Sequence, residues 1–113
     1  MSDRLPAGLE VAALIRRTHS EGGFAIVLHK GDADRGAINL VIAERGETRS
    51  VLERRMAADF VYRWTEVPLP VGQSGSGWRE WVEKTSRFDP DCWILELDIA
   101  DAERFIAETT ATG

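Results

Sequence analysis

The sequence has a single cysteine, Cys92, so it can form neither an internal disulfide nor a cysteine-rich zinc site. A reducing compartment is the simplest setting for such a chain. It also has no long apolar stretch. The longest runs, Val11–Ile15 and Phe24–Leu28, fall far short of the roughly 20 residues that a membrane helix needs. The opening Met1-Ser2-Asp3-Arg4-Leu5-Pro6 lacks the apolar core of a secretory signal, so a cytoplasmic location with no membrane attachment is expected. Basic residues are not in excess. Lys and Arg number 14 against 19 Asp and Glu, a net charge of −5. That balance counts against broad, sequence-independent nucleic-acid binding, which needs a basic surface to displace counterions. The two histidines, His19 and His29, form no His-x-x-x-His metal spacing, and there is no Gly-x-Ser-x-Gly elbow.

What is present reads as one folded domain over residues 1–113. Apolar residues at 43% and charged residues at 29% are ordinary globular proportions. A chain of this size can bury a core without metal or disulfide. Pro6 to Glu21 reads as a helix whose apolar stripe includes Leu9, Val11, Ala12, Ala13, Leu14 and Ile15. Gly22-Gly23 stops it, because glycine accepts the left-handed position after a helix. Phe24–His29 and Ala37–Glu44 read as strands joined by a Gly- and Asp-rich turn, and Arg45-Gly46-Glu47 as a hairpin turn. Thr48–Met56 and Asp59–Val67 read as strands three and four, although the helix propensity of residues 51–58 leaves a helix open there.

Residues 68–76, with two prolines and alternating Gly and Ser, read as a flexible loop. Ser76 could cap a second helix whose Trp78, Trp81, Val82, Thr85 and Phe88 share one face. Asp89-Pro90 ends that helix. Cys92–Ile99 is the clearest strand, and Asp98 or Asp101 starts a last helix with Ala102, Phe105 and Ile106 inward. The order is α-β-β-β-β-α-β-α, an α+β fold with a mostly antiparallel sheet of about five strands and three helices, packed on one face.

The string Arg87-Phe88-Asp89-Pro90-Asp91-Cys92-Trp93-Ile94-Leu95-Glu96 resembles the signature of a bacterial family, domain of unknown function 1491. Arg16-Arg17 in the first helix and Lys30-Gly31-Asp32-Ala33-Asp34-Arg35-Gly36-Ala37 are similar to it as well. The likeness spans Val11 to Phe105. It implies a compact bacterial protein of about this length and transfers no catalytic residue. Cys92 stands where a larger apolar residue is expected, which speaks against an essential thiol.

Two sets of residues stand out as candidate sites. Arg87, Asp89, Asp91 and Glu96 form an acidic and arginine cluster at a helix–strand junction. Such residues could hold a divalent ion or act as acid and base, yet Asp beside proline commonly braces a turn, the reading preferred here. Phe60, Tyr62 and Trp64 alternate on one strand face. Tyr62, Arg63 and Trp64, with Trp78, make a candidate binding surface able to stack bases or meet a protein. Asp32-Ala33-Asp34 matches half of a calcium loop but lacks its later ligands, so its aspartates are expected to fix a turn.

No catalytic constellation is complete and no cofactor is implied. The preferred reading is therefore a small non-catalytic protein-interaction module, including self-association as a homodimer. The alternatives are a metal-assisted hydrolase or nuclease using Arg87, Asp89, Asp91 and Glu96, and a single-stranded nucleic-acid binder using the Phe60, Tyr62 and Trp64 face.

Overall fold

A computed structural model describes residues 6–56, 58–68 and 77–111. The order is α1 (Ala7–Ser20), β1 (Phe24–His29), β2 (Ile38–Glu44), β3 (Glu47–Met56), β4 (Tyr62–Glu66), α2 (Gly77–Phe88), β5 (Trp93–Asp98) and α3 (Ala102–Ala111). This matches the expected α-β-β-β-β-α-β-α sequence. Most of the expected flexible loop, and the cap expected at Ser76, lie outside the described residues.

The five strands form one sheet in the order β1-β5-β2-β3-β4. Three pairings are antiparallel and one, β2 with β5, is parallel. The sheet is therefore mostly antiparallel, with a parallel pair at its centre. Residues 51–56 are strand: β3 is held by β2 on one side and β4 on the other, and that pairing overrides local helix propensity. β4 is shorter than expected. Asp59 Oδ1 accepts the Val61 N–H at 3.2 Å and Phe60 has a positive φ of 62°, so residues 58–61 turn rather than extend. Phe60 therefore does not share the strand face of Tyr62 and Trp64.

The helices do not pack on one face. α1 and α3 cover Ile38, Leu40, Ile42, Leu52, Leu95 and Leu97 through Val11, Leu14 and Phe105. α2 covers Val41, Val51, Cys92 and Ile94 on the opposite face through Trp78, Trp81 and Val82. The central strands explain this difference. β2 is apolar on both faces except for Asn39 and Glu44, and a two-sided apolar strand needs cover on both sides.

The inward stripe of α1 is also narrower than expected. Ala7, Val11, Leu14 and Thr18 are buried, whereas Leu9 is 58% exposed. Gly22, at φ 84°, ends the helix. The Gly23 N–H reaches back to Thr18 O at 2.9 Å and the Gly22 N–H to His19 O at 3.0 Å. The last turn of α2 carries Phe88 beyond the apolar residues that the helix covers, leaving it 93% exposed rather than on the packed face.

Candidate functional site

Two loops meet at the start of β5. The Asp89 N–H closes α2 on Thr85 O at 2.9 Å, and the Cys92 N–H returns to Asp89 O at 3.1 Å. Asp89 Oδ1 accepts the Asp91 N–H at 3.2 Å. Against this turn lies the loop between β1 and β2. The Asp32 N–H donates to Asp91 O at 2.9 Å, and Trp93 Nε1 donates to Asp32 O at 2.8 Å. His29 Nδ1 donates to Cys92 O at 2.7 Å, the carbonyl acceptor placing the proton on that nitrogen. Asp32 Oδ1 accepts the N–H groups of Asp34 and Arg35, each at 2.8 Å. Those bonds, Arg35's first, hold its carboxyl below the ordinary range. The same loop then caps α1. Ala33 O and Asp34 O accept the N–H groups of Gly8 and Ala7, standing in for the side-chain cap that Pro6 cannot provide.

The acidic candidates are only partly brought together. Arg87 is exposed and lies 3.9 Å from Glu83, one helical turn back. Asp89 and Asp91 sit on the turn. Glu96 lies three residues into β5 past Trp93, about 10 Å farther along the strand. A groove of 980 Å³ runs beside this end of α2, lined by Asn39, Glu53, Lys84, Arg87, Phe88 and Asp89 among others. Its charges are of both signs. Among the described residues, no group of three His, Cys, Asp or Glu side chains could hold a metal ion. Cys92 is fully buried. Burial pushes its thiol up, and the nearby Asp89 charge pushes the same way, so it is poorly placed to act as a nucleophile.

The aromatic candidates divide between the two faces of the sheet. Tyr62 and Trp64 are half-buried on the α1 side, where the Arg54 guanidinium lies 5.5 Å from each ring centroid. Arg54 is paired with Glu10 of α1. Its Nη2 is buried with no hydrogen-bond acceptor, and the two ring faces offset part of that cost. Arg63 points to the other side and grips both oxygens of Asp59, at 2.9 and 2.7 Å. Trp78 packs under α2, with Arg79 5.2 Å from its ring centroid. Tyr62 and Trp64 are thus neighbours, while Arg63 and Trp78 are not part of their surface.

A third feature was not singled out from the sequence. Among the described residues β1 ends the sheet, paired with β5 on one side and with no described strand on the other. Phe24 is 72% exposed, Ile26 54% and Val27 42%. Phe24 and Ile26 lie opposite Asp98 and Glu96 of β5, and so share their face. The available signal was the lack of any Asp, Glu, Lys or Arg from Phe24 to His29. That run suits a buried strand equally well, and only its place at the edge shows the difference.

The family model described as protein of unknown function (DUF1491) matches residues 5–107. The chain belongs to the DUF1491 family. Solved relatives are similar in fold. A crystal structure of a DUF1491 family protein from Caulobacter crescentus shares 31% identity at a TM-score of 0.75, covering 84% of this chain and 88% of that one. An NMR structure of a DUF1491 family protein from the same organism shares 31% identity at 0.73, covering 90% and 92%. A solution structure from A. tumefaciens shares 27% identity at 0.66, covering 86% and 87%. No curated protein matches.

In this DUF1491 protein, the strings Lys30–Ala37 and Arg87–Glu96 are the segments that lock together at the head of β5. Their hydrogen bonds are mostly between backbone groups, with Asp32 and Asp89 carboxylates accepting turn N–H groups. No described helix is long and apolar enough to cross a membrane.

Proposed function

We propose that this DUF1491 protein is a non-catalytic protein-interaction module that docks through the outer edge of β1. The observation that carries this reading is a terminal strand with three exposed apolar side chains and no charge. An edge strand presents a row of N–H and C=O groups able to pair with another chain. Proteins commonly blunt such edges with charge or proline. The opposite edge, β4, is protected in that way by exposed Arg63 and Glu66. β1 has neither a charge nor a proline, as expected of an edge that is covered in use. Asp32 and Asp89 are occupied in bracing loops, which favours this reading over metal-assisted hydrolysis. The half-burial of Tyr62 and Trp64 around a paired arginine favours it over base stacking.

The test is site-specific photo-crosslinking in cells of the protein's own host. A benzophenone side chain at position 24 or 26 is expected to yield covalent protein adducts. The same group at position 60, also apolar and 82% exposed, is expected to yield none. Absence of adducts at both 24 and 26 would overturn the proposal.

A further inference from the structure

Resting on that reading, we infer that the chain seated on β1 is a second copy of this protein, joined edge to edge so that two five-stranded sheets continue across a two-fold axis. The argument begins with charge. Each copy carries −5, so contact between copies must avoid bringing like charges together. β2 carries Glu44, β3 and β4 carry several charges, and β5 carries Glu96 and Asp98. β1, Phe-Ala-Ile-Val-Leu-His, is the one described strand without any. It is also the one whose apolar side chains remain outside.

Antiparallel pairing of one strand with its own copy keeps each sheet face continuous when the axis is normal to the sheet. Residues then pair in steps of two. Centred on Ile26, that register sets Ile26 against Ile26 of the partner subunit, Phe24 against Leu28 and Ala25 against Val27. Every one of those cross-strand pairs is apolar. An isologous contact of this kind is closed and ends at two copies. The irregular pairing of β1 with β5 between Val27 and His29 limits how far the seam extends. Six residues per copy make a contact smaller than the about 800 Å² per partner of a standard interface, so the dimer dissociates on dilution.

The flanking charges set its salt dependence. Glu96 and Asp98 share a face with Ile26 and Phe24, one strand in from the seam. The carboxylates of the two copies therefore repel across it, and added salt screens that repulsion. A basic peptide on the same edge would show the opposite sign, because salt would weaken its attraction to those carboxylates.

Sedimentation velocity of the purified full chain, over a dilution series, tests the inference. The expected result is a monomer–dimer equilibrium that tightens between about 0.05 and about 0.5 M salt. Ile26→Lys is expected to weaken the dimer at least tenfold, because the substitution enters twice. Ile26→Thr, which keeps β-branching, is expected to weaken it less, and Phe60→Lys not at all. Ile26 is 54% exposed, so both Ile26 variants are expected to keep the parent's circular dichroism and, at dilutions where the parent is monomeric, its melting. A chain that stays monomeric throughout, or a dimer indifferent to Ile26→Lys, would overturn the second copy. If the purified chain is monomeric yet positions 24 and 26 crosslink to another protein in cells, the homodimer falls and the β1 docking edge stands. If neither occurs, both fall.

Discussion

Gly31 and Gly36 are the residues that let two loops approach at the head of β5. A Cβ at Gly31 would fall 2.2 Å from Asp91 O and 2.6 Å from the Cys92 backbone. One at Gly36 would fall 2.3 Å from Asp91 O and 2.9 Å from Asp32 O. These neighbours are backbone atoms and cannot swing aside. Asp91 is itself held by Asp89 Oδ1 on its N–H and by the Asp32 N–H on its carbonyl. Gly36→Ala is therefore expected to destabilise the fold by about 1–3 kcal/mol, the usual scale for overpacking a filled site. Urea unfolding checks this through a lower midpoint at constant slope. An unchanged midpoint would mean that the two loops are not locked as described. The motif string around Asp89-Pro90-Asp91 was legible in the sequence as a braced turn. What the brace rests on was not, because the Gly31–Gly36 loop is about 60 residues away in sequence and the contact is backbone to backbone.

Among the elements, β4 is entered through a turn that depends on an ionised side chain. Hydrogen bonds from Arg63, and then from the Val61 N–H, lower the Asp59 carboxyl from 3.8 to about 2. A group with a depressed folded value stabilises the fold fully above its unfolded value and loses that contribution as pH falls. For Asp59 the loss runs from about pH 4 down through about pH 2, and Asp32 shifts in the same direction. Melting temperature followed between pH 5 and pH 2 is expected to fall less steeply in Asp59→Asn than in the parent. Equal slopes would show that the Arg63–Asp59 grip does not survive in solution. The eight elements themselves were legible from local signals: Gly22-Gly23, Arg45-Gly46, Asp89-Pro90 and the alternation of Trp93, Leu95 and Leu97. The hairpin turn expected at Arg45-Gly46-Glu47 is formed by Arg45 and Gly46, at φ 54° and 80°, with Glu47 already in β3, and Asp98 accepts the N–H groups of Arg45 and Gly46 at 2.9 and 2.7 Å. The place of α2 was not legible. Its apolar face says that it must pack, but not on which side of the sheet.

At the scale of the molecule, the insertion of β5 between β1 and β2 determines what is exposed. Without it β1 would pair with β2 as its neighbour in sequence, and nothing local marks β1 as an edge. The same insertion buries β2 on both faces and the apolar residues of β5, and leaves Phe24, Ile26 and Val27 outside. The candidate residues chosen from sequence lie elsewhere for the same reason: alternation put Tyr62 and Trp64 on one face, but only strand register sets Arg54 between them.

Hydrogen exchange of the β1 amides tests the account most directly. Successive N–H groups of an edge strand point alternately toward β5 and away from it. In dilute protein, exchange is expected to alternate along Phe24–His29, with the outward amides fast. In concentrated protein, or with the cellular partner present, the fast amides are expected to become slow as the edge is paired. Alternation that persists unchanged under both conditions would contradict a docking role for β1.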